Sequence, residues 1–225
     1  MSATVKDVMS THVYAVTETA SFKEIASRLH ELRISAFPVV DSDGKVIGVV
    51  SEADLLPKEA LEGEVPGVLH SLGRSRERSK VTAVTAADLM TRPPVTVGPD
   101  EPVTHAARLM YSAKVKRLPV VGDDGKLIGI VARSDVLSVY RRPDAEIHHE
   151  ITQEIILDKL LCDPAKFTVT VEDGVVTIEG TPETAYTGHD IVNDVRHVEG
   201  VVAVRDRLSY PADRPDRTYT TNPLF

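Results

Sequence analysis

The sequence predicts α/β and α+β structure in one chain: a duplicated β-α-β-β-α unit packed as a pair, then a small unit of order αββαβ. Three observations predict it. Residues 6–56 and 87–137 align without a gap, because Pro38 and Pro119, Gly48 and Gly129, and Asp54 and Asp135 all stand 81 residues apart. Each copy carries a helical apolar stripe followed by two short β-branched runs. After Arg141-Arg142-Pro143 the pattern changes to helix, hairpin, helix and strand. The expected organisation is therefore a first repeat at 1–56, a connection at 57–86, a second repeat at 87–142, a C-terminal unit at 144–210 and a tail at 211–225.

In the first repeat, Ser21-Phe22-Lys23-Glu24 reads as a capping box opening a helix. Phe22, Ile25, Ala26, Leu29 and Leu32 then share one helical face. In the second repeat, Val103, Ala106, Ala107, Met110 and Ala113 take the same offsets, and Pro102 suits the first helical turn. Phe37–Val40 and Val46–Val50 follow as a strand pair around a Ser-Asp-Gly-Lys turn. Their nearly continuous apolar character predicts a sheet covered on both faces. The connection is broken by Gly63, Pro66, Gly67 and Gly73 and made basic by Arg74, Arg76, Arg78 and Lys80. It reads either as a solvated linker or as an arm that binds a partner.

The C-terminal unit begins with Ile147, Ile151, Ile155, Ile156 and Leu160 on an amphipathic helix. Phe167, Val169 and Val171 alternate, Glu172-Asp173-Gly174 turns the chain, and Val176 and Ile178 alternate again, which makes a hairpin. Thr181-Pro182-Glu183 reads as the start of a second helix running to about Val198. Gly200 ends it, and Val202, Val204 and Leu208 supply a last strand.

Charge is divided unevenly. The whole chain carries a formal charge of −8, yet residues 144–225 alone hold 16 acidic against 7 basic side chains, so the repeats are close to neutral. An acidic C-terminal part disfavours nucleic acid and anionic lipid as partners. One cysteine, Cys162, rules out an intrachain disulfide and reads as a small buried residue rather than a nucleophile. No basic n-region with an apolar run opens the chain, and no run approaches about 18 apolar residues, so the expected location is cytoplasmic. The eight histidines are scattered, with His148 and His149 on different sides of a helix, and no metal-ligand spacing occurs. No catalytic or phosphate-loop motif is present, so the expectation is a protein that is not an enzyme, with no metal and no required cofactor.

The paired repeat resembles tandem cystathionine-β-synthase (CBS) domains, the arrangement called a Bateman module, over residues 6–56 and 87–140. The resemblance rests on Pro38-Val39-Val40, Pro119-Val120-Val121 and the two Gly-x-x-x-x-x-Asp segments. The C-terminal unit resembles a BON domain over 146–210, through Val169-x-Val171-x-x-Gly174-x-Val176-x-Ile178-x-Gly180 and Gly200-Val201. Their order is similar to bacterial CBS–BON proteins. The resemblance implies a cleft between the repeats that binds an adenosine-containing ligand, with AMP, ADP or ATP as candidates. Gly48-Val49-Val50-Ser51-Glu52-Ala53-Asp54 matches the segment that holds the ribose, and Lys114-Val115-Lys116-Arg117 the loop that touches phosphate. Ser51, Asp54, Lys116 and Arg117 are thus the principal candidate site.

Elementary chemistry agrees with that assignment. A carboxylate accepts two ribose hydroxyls, a hydroxyl at a helix start lies beside N–H groups that attract phosphate, and Arg offers a planar fork for phosphate oxygens. A second, weaker site is expected from Asp135 and Arg133 with Ser35 and Ala36, since Ala132 replaces the hydroxyl and no cation precedes Pro38. Ser51-x-x-Asp54 also reads as a plain helix-capping pair. Two functions stay open: a non-catalytic regulator that senses a nucleotide and signals to an unknown protein partner, or a homodimeric scaffold whose C-terminal unit contacts a protein or, less favourably given its acidity, a membrane. A nucleic-acid role ranks third, on Arg74–Lys80 alone.

Overall fold

A computed structural model describes residues 3–61 and 84–210. The basic segment Arg74–Lys80, most of the connection and the tail from residue 211 lie outside the described residues. The chain divides into two compact units, one holding Ala3–Val136 and the other starting at Leu137.

In the first unit the first repeat runs α1 (Val5–Val8), β1 (Val16–Thr17), α2 (Phe22–Leu32), β2 (Ala36–Val40), β3 (Val46–Ser51) and α3 (Glu52–Leu61). Ser21 caps α2 by accepting the Glu24 N–H at 3.2 Å. The Glu24 side chain lies 3.5 Å from Arg28 instead, so half of the expected box forms. At the other end Arg33 turns left-handed (φ 52°) and donates its N–H to the His30 and Leu29 carbonyls. Ile25 and Leu29 are buried with Phe37, Val39 and Val50, and Phe22, Ala26 and Leu32 pack at the edge of that core. β2 runs antiparallel to β3 and parallel to β1, with a bulge between Val39 and Val40. Ala36 to Val39 are all buried, as a sheet covered on both faces requires.

The second repeat runs α4 (Ala86–Leu89), α5 (Val103–Ser112), β4 (Arg117–Val121), β5 (Leu127–Ala132) and α6 (Arg133–Val136). Its first strand shrinks to a single parallel bridge, Val97 to Val120, at the positions matching Val16 and Val39. Pro102 precedes α5 as its cap rather than sitting in its first turn. The expected last helix is one turn, followed by a 3₁₀ turn at Leu137–Arg141.

The two repeats exchange their lead-in segments. Residues 3–10 bond to the second repeat: Val5 N–H to Glu101 O (2.8 Å), Val103 N–H to Ala3 O (3.0 Å) and Ser10 N–H to Ile130 O (2.9 Å). Residues 84–91 bond to the first: Phe22 N–H to Val84 O (2.9 Å), Ala86 N–H to Ala20 O (2.8 Å) and Thr91 N–H to Val49 O (2.8 Å). Ala86, Leu89 and Met90 consequently belong to the buried core of the first repeat. Gly48 and Gly129 make room for this exchange. A Cβ at Gly48 would lie 2.2 Å from Met90 Sδ, and one at Gly129 would lie 2.6 Å from Met9 Sδ.

In the second unit, α7 covers Asp144–His149 and continues through Glu150–Lys159 with i→i+5 bonding. The wider turn suits apolar residues spaced four and five apart. Then come β6 (Phe167–Glu172), β7 (Val175–Gly180), α8 (Ala185–Val195) and β8 (Ala203–Leu208), which is the order αββαβ. Asp173 and Gly174 both have positive φ, 50° and 73°, as a two-residue hairpin turn demands. The Asp144 carboxylate accepts both of their N–H groups, at 2.8 and 2.9 Å. α8 begins three residues later than expected, because Thr184 rather than Thr181 accepts the capping N–H, from Thr187 at 3.1 Å. It ends at Val195, short of Val198. β8 lies parallel to β7, and Ile147, Ile151, Ile156, Val176, Ile178 and Ile191 fill the core.

Two predictions follow from the exchanged segments. Gly48→Ala should lower the urea midpoint of the full chain by the equivalent of about 1–3 kcal/mol, the usual cost of overpacking, and Met90→Ala in the same chain should recover part of it. The Asp7 and Asp88 carboxyls are held below the usual carboxylate range, first by the Thr4 and Thr85 side chains and then by backbone N–H groups. A depressed carboxyl stabilises the fold above its unfolded value and loses that contribution as pH falls through its folded value. Asp88→Asn should therefore be less stable than wild type at pH 7, with the difference closing between about pH 5 and pH 2 in thermal melts.

Candidate functional site

A cavity of about 360 Å³ opens between the repeats within the first unit. Its volume suits a small ligand. One wall is apolar: Ala36, Val49, Leu56, Pro93, Pro94 and Val95. Ala53 and Val115 add to the apolar lining, and all four principal candidates, Ser51, Asp54, Lys116 and Arg117, are among the polar residues of the cavity.

Asp54 comes from the first turn of α3 and is 8% exposed. Its Oδ2 accepts both the Ser51 N–H (2.8 Å) and the Ser51 hydroxyl (2.7 Å). The capping role read from Ser51-x-x-Asp54 is therefore real. A carboxylate has about four acceptor sites over its two oxygens, so capping and sugar binding are compatible in capacity. The single Ser51 hydroxyl proton goes to Asp54, which leaves the Ser51 oxygen as an acceptor.

Arg117 opens β4, where its backbone pairs with Ala132. Its Nη2 donates to Ser35 Oγ at 3.1 Å, and its Nε is buried with no hydrogen-bond partner. An unpaired buried donor on a cation is costly, about 1–3 kcal/mol. Lys116 is exposed at the rim.

The structure places Ser35 and Ala36, expected at a second site, beside the principal candidates. They line the same cavity as Asp54, because Ala36 pairs with Ser51 across β2 and β3 and Ser35 is held by Arg117. Asp135 and Arg133 do not line it. Asp135 accepts the Ala132 N–H at 2.8 Å and the Ser134 hydroxyl at 3.3 Å, while Arg133 Nε donates to Val115 O at 3.1 Å. Sequence reasoning missed Glu52, Thr91, Pro93, Pro94 and Val95. Thr91 reaches the cavity through its bridge to Val49, a product of the exchanged lead-in.

Elsewhere, burial and then Glu183 push the Cys162 thiol up, which keeps it protonated. Among the described residues no group of three or more His, Cys, Asp or Glu is placed to hold a metal ion, and no helix is long and apolar enough to cross a membrane.

The CBS domain family model matches residues 5–59 and 86–142, and the BON domain model matches residues 143–212. The CBS domain-containing protein CBSX1, chloroplastic, of Arabidopsis thaliana is 34% identical over 136 residues. That alignment takes in 56% of this chain and 58% of the relative, so the chain spans less than two thirds of it. The crystal structure of CBSX2 of Arabidopsis thaliana in complex with AMP is 34% identical, with a TM-score of 0.53 over 60% of this chain and 94% of that one. The CBS domain pair of protein MJ0100, solved with 5′-methylthioadenosine and S-adenosyl-L-methionine, is 27% identical, with a TM-score of 0.50 over 61% and 99% of the two chains.

Proposed function

The chain belongs to the CBS domain family, as a CBS pair followed by a BON domain, and from that premise we propose that its cavity binds an adenosine-containing ligand of the AMP, ADP or ATP class. One observation carries this: a buried carboxylate, Asp54, and two cations, Lys116 and Arg117, share a cavity with a largely apolar lining. An adenine needs apolar surface, and Val49, Pro93, Pro94 and Val95 are apolar residues of the lining. A ribose offers two hydroxyl donors to Asp54. A phosphate takes donors from Arg117 and Lys116. Two similar CBS pairs have been solved with AMP and with methylthioadenosine and S-adenosylmethionine.

In this reading the protein is a cytoplasmic, homodimeric regulator and not an enzyme. Asp54 belongs to the first repeat and Arg117 to the second, so one ligand bridges the copies. Bridging changes function where the ligand binds two arrangements with unequal affinity, and an unknown protein partner reads the difference. The capping bonds from Ser51 to Asp54 favour the other reading, a scaffold that needs no ligand. Calorimetric titration of the full chain with AMP, ADP, ATP and S-adenosylmethionine separates the two. The nucleotide reading expects saturable binding, weakened about tenfold in Asp54→Asn by loss of a charged acceptor. Asn keeps an oxygen for the Ser51 cap, so the fold should persist by circular dichroism. Absence of heat from all four ligands would leave the scaffold.

A further inference from the structure

A second, shallower basin of about 420 Å³ adjoins the cavity. His30, Arg33, Ser35, Glu52 and Arg117 line it, and Ser35, Glu52 and Arg117 line the cavity as well. The basin wall is mostly polar where the cavity wall is mostly apolar. Such a surface suits a charged tail and not a base.

Its charges point to an anion. Arg33 and Arg117 are fixed cations, His30 adds a donor and a cation when protonated, and Glu52 is the one acid among these residues. The C-terminal end of α2 is the negative end of its dipole and opposes an anion. That opposition is reduced, because the His30 and Leu29 carbonyls are tied to the Arg33 and Ile34 N–H groups at 3.2 and 3.1 Å. Arg117 lines both spaces, and its Nε is buried without a hydrogen-bond partner.

Resting on the nucleotide reading of the cavity, we propose that the basin receives the distal phosphates of a nucleoside di- or triphosphate, with Arg117 shared between proximal and distal phosphates and Arg33 and His30 setting the preference for chain length. AMP ends at Arg117. ADP and ATP continue past it into the basin. Glu52 at the junction disfavours a bare polyphosphate and is compatible with one carrying a divalent cation.

The test is calorimetry of the full chain with AMP, ADP and ATP in the presence of Mg²⁺, using wild type, Arg33→Asn and Asp54→Asn. Asn is chosen because residue 33 is left-handed at φ 52° and Asn tolerates that region. Wild type should bind ATP and ADP more tightly than AMP. Arg33→Asn should weaken ATP about tenfold, the scale of one charge-assisted contact, and leave AMP within about twofold. Asp54→Asn should weaken all three alike. Equal wild-type affinity for AMP and ATP, or an Arg33→Asn effect as large on AMP as on ATP, would overturn the basin assignment while leaving the cavity reading intact. Failure of every nucleotide to bind wild type would overturn both.

Discussion

Neither repeat of the first unit closes its own core. Residues 84–91 complete the first repeat and residues 3–10 attach to the second, each held by backbone hydrogen bonds and by a methionine laid over a glycine. Burying a side chain of this size stabilises by about 1.5–3 kcal/mol, and Leu89 and Met90 are both buried on the first repeat. The short lead-in helices at Val5–Val8 and Ala86–Leu89 are too brief to be stable alone. Matching Thr–Asp capping boxes at Thr4–Asp7 and Thr85–Asp88 start them, and the opposite repeat holds them. Unfolding one copy therefore strips a wall from the other.

That constraint also builds the cavity. Thr91 bridges to Val49, and Pro93, Pro94 and Val95 follow it in the chain, so part of the apolar lining is brought in by the exchanged segment, beside Ala36, Val49 and Leu56 of the first repeat. The acid comes from the first repeat through the β3–α3 junction, and the cations come from the second through the start of β4. A ligand that satisfies Asp54 and Arg117 together would add a cross-link to copies already interlocked by their lead-ins. Coupling between ligand and arrangement is then a matter of how far Arg117 stands from Asp54 in each state.

Periodicity and turn chemistry made most of the fold legible. The stripe from Phe22 to Leu32, the strand pairs and the αββαβ order of the second unit all form. The exchange stayed hidden because the gapless alignment assigns residues 87–91 to the second copy and leaves 84–86 in the connection, whereas packing assigns them to the first. That Ser35 and Ala36 line the same cavity as Asp54 was hidden for a related reason. A loop between two clefts belongs to the one its ladder partner faces, and the pairing of Ala36 with Ser51 is a matter of register that composition does not reveal. Helix starts slipped where several threonines compete for the cap, as at Thr181 and Thr184.

The duplication is symmetrical in what folds and asymmetrical in what binds. Taken position by position, Ser51 stands against Ala132, Lys116 against Ser35 and Arg117 against Ala36. Each acid has the same local task, since Asp54 caps the Ser51 N–H and Asp135 caps the Ala132 N–H, both at 2.8 Å. A cap alone therefore explains why both copies keep an aspartate. It does not explain Lys116 and Arg117, which have no counterpart cation in the first copy. A hydrogen bond to a charged group is worth about 1.5–3 kcal/mol, so two such groups on one side set the two clefts apart in what they could offer an anion. Arg33, the counterpart of Lys114, is the cation that the first copy retains, and it lines the basin beyond Arg117 and not the cavity itself. Lys116 and Arg117 thus line the cavity with Asp54, while Arg33 lines the adjoining basin, which shares Arg117 with it.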